Sequence, residues 1–179
     1  MGPGHLGVGF AAKTVAPKAP LWSLLAASEA LDLLSGVFIA VGSESMAVSE
    51  TSFREGLQIL TPGSIPWSHG LFMALVWSLL ASLLAWRVSG ARRTAVLLGL
   101  LVFSHWIIDF ISHPMTAVFP HDAGLPLFFA AEPLVGLGVW RTQAGVTVGE
   151  YGVLALGLTI YLLARRRQRH SQPTIQTQS

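Results

Sequence analysis

Apolar residues fill four stretches of this chain almost without interruption, and polar residues gather between them. Residues 20–41, 70–87 and 94–112 each approach the roughly 20 residues that a helix needs to cross a bilayer. Residues 148–164 are slightly shorter and run straight into a basic cluster. A fifth apolar run, 126–140, is broken by Pro133 and two glycines and predicts a re-entrant or interfacial segment. The pattern therefore predicts an all-α polytopic membrane bundle of about four transmembrane helices. Residues 1–164 form a single membrane-embedded domain, and residues 165–179 a basic, disordered cytoplasmic tail. Glu29 and Asp32 lie inside the first apolar run and argue against its being a cleaved signal peptide.

Composition places the chain in lipid. It is 52% hydrophobic and 11% charged, whereas soluble domains carry about 25% charged residues. The eleven basic residues are unevenly placed. Lys13 and Lys18 precede the first span, Arg87, Arg92 and Arg93 join the second to the third, and Arg165, Arg166, Arg167 and Arg169 follow the fourth. Only Arg54 and Arg141 fall on the other side, with Glu44, Glu50, Glu55, Asp122 and Glu132. The positive-inside rule then puts both termini in the cytoplasm of a multi-pass inner-membrane protein. Beside a span, the arginine run anchors topology and touches anionic lipid, so no nucleic-acid partner is expected. With no cysteine, any metal must be held by His, Asp and Glu.

The polar residues inside the apolar runs carry the chemistry. His105, Asp109 and His113 recur at i, i+4 and i+8 in the third span and share one helix face. An ionisable group at a helix centre costs roughly 2.5–3.5 kcal/mol on insertion scales and marks a functional site by default. At 1.5 Å rise per residue, His105 lies roughly 16 Å above the cytoplasmic end of its span, Asp109 about 22 Å and His113 about 28 Å. Asp32 lies roughly 18 Å up the first span and Glu29 about 14 Å. His69 and Glu150 open the second and fourth spans at their outer ends. His5 reaches about 12 Å into the membrane only if the stretch from His5 to Lys13 forms a re-entrant half-helix. His121 and Asp122 read as a solvated turn in a proline-rich outer loop.

Five pieces in order, GHLGVGFAAK, APKAPLWSLLAASEALDLL, PWSHGL, FSHWIIDFISHP and VGLGVW followed by Glu150, span about residues 4–164. In these the chain resembles a family of small bacterial inner-membrane metal-dependent hydrolases that includes the LexA-binding membrane-associated hydrolases. The resemblance implies a metal site like that of zinc-dependent phospholipase C. By position, His5, Asp32, His69, His105 and Asp109 are its ligands, and His113 and Glu150 serve a second metal or an outer shell. Many relatives carry an Asp-x-Asp pair after the first helix. Here Glu29 and Asp32 stand further apart, which leaves Glu29 as either ligand or base.

The expected chemistry is hydrolysis of a phosphoester or lipid-borne substrate at the outer half of the bilayer. The cofactor is a divalent metal, Zn2+ before others, which lowers the pKa of bound water from 15.7 to about 7. Glu29 or Glu150 acts as the catalytic base. The rival is a proton-coupled or ion transporter, since intramembrane His and carboxylate chains also relay protons. Four spans are few for a carrier, although a homo-oligomer would answer that. A plain scaffold leaves too many ionisable groups for the helices available.

Overall fold

Long apolar runs without internal proline favour continuous helix, and the two middle runs obey. The computed structural model describes residues 2–48, 60–119, 122–130 and 132–170. Its elements are α1 (Gly4–Ala12), α2 (Leu21–Ser28), α3 (Ala30–Ala40), β1 (Ser45–Val48), β2 (Leu60–Ser64), α4 (Pro66–His69), α5 (Leu71–Ser89), α6 (Arg92–Ser112), β3 (Leu125–Pro126), β4 (Leu134–Val135) and α7 (Gln143–His170). Helices α5, α6 and α7 are long and apolar enough to cross a membrane. The first run differs from a straight span: α2 and α3 meet at Glu29 with a 60° bend and satisfy the length and apolarity requirement only together. β1 pairs antiparallel with β2, and β3 with β4. Glu50, Arg54, Glu55, His121 and the tail beyond His170 lie outside the described residues. Arg165–Arg169 continue α7 rather than leaving it as coil.

α5 and α6 are joined by a two-residue turn in which Gly90, at φ 68°, takes the left-handed conformation and returns its N–H to Trp86. Their contact is made by small residues. Gly99 faces the Ser78 carbonyl and the Ser82 hydroxyl, and Ala74 and Ala95 are buried beside them. Small side chains let the two helix backbones approach closely. Leu24, Leu31, Leu101, Val102, Trp106 and Leu125 form the apolar core above that seam.

The interrupted run 126–140 has a specific use. Leu137 and Val139 donate to the carbonyls of Phe110 and Ile111 at 2.7 and 3.1 Å, Trp140 donates to Ser112 at 3.3 Å, and Gly138 donates to His113. A helix end leaves its last carbonyls without intrahelical partners, and this segment supplies them for α6. Its prolines and glycines break it before it can form a long helix, and its backbone caps one that is long and apolar enough to span.

Candidate metal centre

α6 brings the first two groups. No proline lies between Arg92 and Ser112, so His105 and Asp109 stack one turn apart, both buried. Asp109 Oδ2 lies 3.4 Å from His105 Nε2. α4, a single turn started by Pro66 at its first position, ends on His69, whose Nε2 lies 3.5 Å from the same Oδ2. The bend at Glu29 swings α3 inward. Asp32 Oδ1 comes to 3.2 Å from His69 Nε2 and 3.6 Å from His105 Nε2. α1 inserts His5, whose ring stacks on that of His105 at 3.7 Å and 6°. His5 Nε2 sits 3.3 Å from Oδ1 of Asp109. The stretch from Gly4 to Ala12 is helical, and it carries the His5 imidazole into the cluster.

These five side chains supply atoms close enough together to hold a metal ion, in the groups His69–His105–Asp109 and His5–Asp32–His105. The donor set fits one. His105 Nδ1 is 2.8 Å from the carbonyl of Ser28. A carbonyl only accepts, so Nδ1 carries the proton, and a neutral ring aims the Nε2 lone pair at two carboxylates. Such an arrangement is repulsive unless a cation, proton or metal, lies among them. Nε2 of His69, Nε2 of His105 and Oδ2 of Asp109 are buried without a hydrogen-bond partner among the described residues. They lie within ion-pair distance yet off hydrogen-bond geometry, which suits a shared metal ion better than individual protons.

Four of the five members are sealed, and the Asp32 side chain, 30% exposed, is the open edge. Glu29 stands at the bend next to that edge, half-buried, with His5, Asp32 and His105 as its electrostatic neighbours. Its Oε1 is buried without a partner among the described residues. Glu150 is placed differently: its Oε2 accepts the N–H of Gly4 at 2.8 Å, which caps the start of α1. It also walls a cavity of about 190 Å³ between Gly2, Pro3, the turn at Met115–Phe119 and the first turns of α7. His113 lies outside the five-residue cluster and pairs through Nδ1 with Asp122.

Sequence reasoning read Asp122 as part of a solvated turn, which its burial overturns, and left Glu44, Ser68 and Ser28 without site roles. Asp122 is buried and takes the His113 imidazole, the Met115 amide and, at 2.9 Å, the Gly124 amide. Burial alone would raise its pKa; the His113 hydrogen bond and charge and the two amides outweigh burial and hold it below the ordinary 3.8. A carboxylate depressed in this way stabilises the fold fully above 3.8, and that contribution is lost as pH falls through the lower folded value. Asp122→Ala is expected to free the Met115 and Gly124 amides at neutral pH at a cost of about 1–3 kcal/mol. Hydrogen exchange at those two amides checks it; unchanged protection would contradict it.

Comparison of the chain with protein-family models, curated proteins and solved structures finds no match. The functional reading therefore rests on the chain's own residues.

Proposed function

We propose that this chain is a membrane-embedded metal-dependent hydrolase acting on a phosphoester or lipid-borne substrate at the outer half of the bilayer. The observation that carries the reading is the convergence of His69 Nε2, His105 Nε2, Asp32 Oδ1 and Asp109 Oδ2, with nitrogen–oxygen separations of 3.2, 3.4, 3.5 and 3.6 Å. Ligand atoms 2.0–2.2 Å from a tetrahedral ion lie about 3.3–3.6 Å apart. Neighbouring ligands of octahedral Mg2+ at 2.0–2.1 Å are only about 3.0 Å apart. The spacing is compatible with zinc, and imidazole and carboxylate donors suit it chemically.

In this reading α5, α6, α7 and the bent α2–α3 pair cross the membrane, α1 is re-entrant, and both termini are cytoplasmic. The exposed apolar surfaces of α5 (Leu79, Leu84) and α7 (Val148, Leu156) support it. His69, His105 and Asp109 would hold a divalent ion and leave a fourth position, on the Asp32 side, for water that the ion would bring to a pKa of about 7. Asp32 and Glu29 form the accessible edge, so substrate enters over the bend between α2 and α3. Glu29 accepts the proton there, since its Oε1 has no competing partner among the described residues. Glu150, engaged by Gly4, holds α1 and thereby His5.

The test is the metal content of detergent-purified protein by mass spectrometry, followed by a phosphodiesterase and lipase screen. Wild type and Glu29→Gln are expected to carry about one equivalent of zinc, and Glu29→Gln to lose turnover by roughly 10²–10⁴-fold. No metal after loading with zinc or manganese would overturn the reading and direct the same residues to proton-flux assays.

A further inference from the structure

A second polar chain approaches the centre from behind His69. His69 Nδ1 is 2.7 Å from Ser68 Oγ. Ser68 Oγ is in turn 2.9 and 2.7 Å from the two oxygens of Glu44, and the Ser68 amide donates to Glu44 Oε1 at 2.7 Å. All three residues are buried. Glu44 follows α3 and returns its own N–H to the Phe38 carbonyl, so the chain links the end of α3 to the α4 turn. A buried carboxylate there is costly unless it is engaged, and both its oxygens are.

The proton count gives this chain a direction. A hydroxyl has one proton, and a carboxylate only accepts. Ser68 must therefore donate to Glu44, which leaves its oxygen only lone pairs to offer His69. Nδ1 of His69 then donates, and Nε2 is left as the bare nitrogen that faces Asp32 and Asp109. From this geometry we infer that Glu44, acting through Ser68, is a positioning residue that fixes His69 in its metal-binding tautomer. The inference rests on the metal reading above for its purpose but not for its direction. Outer partners that orient a ligating histidine typically govern 10–100-fold in metal affinity.

The plainer role for Glu44 is a cap on the short α4 turn through the Ser68 amide, and the two roles predict opposite orders of effect. Glutamine keeps an oxygen for the Ser68 amide, but its NH₂ donates to Ser68 Oγ. That reverses the chain: Ser68 then donates to Nδ1, and the His69 proton moves to Nε2, where it blocks metal. Alanine at position 44 removes the cap but leaves Ser68 free to accept. Glu44→Gln is thus expected to weaken zinc binding by about 100-fold, and Glu44→Ala and Ser68→Ala by about 10-fold. A cap alone makes Glu44→Ala the worse variant.

The experiment is zinc titration of the full chain in detergent, beside ¹⁵N imidazole NMR of the zinc-free protein, with His69 assigned by its loss in His69→Ala. The expected result is Nδ1–H in wild type, Nε2–H in Glu44→Gln, and the affinity order given. The same His69 tautomer in both proteins, or Glu44→Ala binding zinc more weakly than Glu44→Gln, overturns the inference. If wild type takes up no zinc, the metal reading falls, while the tautomer comparison still decides the direction. Should Glu44→Gln fail to fold, Ser68→Ala must show His69 as a mixture of tautomers; an unchanged spectrum overturns the proposal.

Discussion

Asp109→Asn is expected to empty the metal centre while leaving the helices assembled. Asp109 is the hub: one oxygen faces His69 and His105, the other faces His5. Asparagine keeps the volume and one carbonyl oxygen, but it removes the charge and puts an NH₂ against a histidine nitrogen. The loss in zinc affinity should exceed the roughly 10–100-fold that outer partners cost. Stability separates the roles of the residue. At free zinc 100-fold above its Kd, wild type gains about 2.7 kcal/mol by mass action. The variant should gain nothing under the same conditions. Its zinc-free melting point should stay near that of zinc-free wild type, because losing Asp109 also removes a like charge facing Asp32. Thermal unfolding with and without zinc decides this. A variant that zinc still stabilises would show that Asp109 is not a ligand.

Gly157→Val is expected to dislodge α1 and with it His5. A Cβ built on Gly157 runs into the backbone of Gly7, and one built on Gly7 runs into the backbone of Val153 and Leu154. The obstacle on both sides is main chain, which has no rotamer by which to yield, so the helices must part. Overpacking of this kind costs about 1–3 kcal/mol, occasionally more. Parting also breaks the bond from the Gly4 amide to Glu150 and withdraws His5 from Asp109. Gly152→Ala is the control: on the same helix its Cβ meets only a Val148 methyl at 3.9 Å, and it should be neutral or slightly stabilising. Comparing unfolding and zinc affinity of the two variants is the measurement. Equal behaviour would mean that the α1–α7 contact does not hold His5 in place.

Much of this was written in the chain. Helices α5 and α6 follow from apolar runs of spanning length without proline, and they fall within a few residues of the predicted 70–87 and 94–112. The i, i+4 spacing of His105 and Asp109 survives into the fold because helical periodicity is local. Depth along a helix is also local arithmetic, which put Asp32 near the level of His105; grouping His5 and His69 with them was implied only by the family resemblance. The kink at Glu29 was not legible. No proline or glycine marks it, and the backbone bonds from Glu29 to Leu25 and from Leu33 to Glu29 run through it at 3.1 and 3.0 Å.

What the sequence determined by itself is the long helices α5, α6 and the apolar part of α7, their apolar surfaces and the rows of ionisable residues along them. Each depends on neighbours within a turn or two. What only the tertiary structure decided is which oxygen or nitrogen meets which. It turned Glu150 away to cap α1, gave His113 to Asp122, and recruited Glu44 and Ser68 behind His69. These pairings join residues 9 to 146 positions apart and are chosen by how helices cross and loops return. No periodicity records such contacts, because the groups that make them are single polar residues whose partners are fixed only when the buried space closes around them.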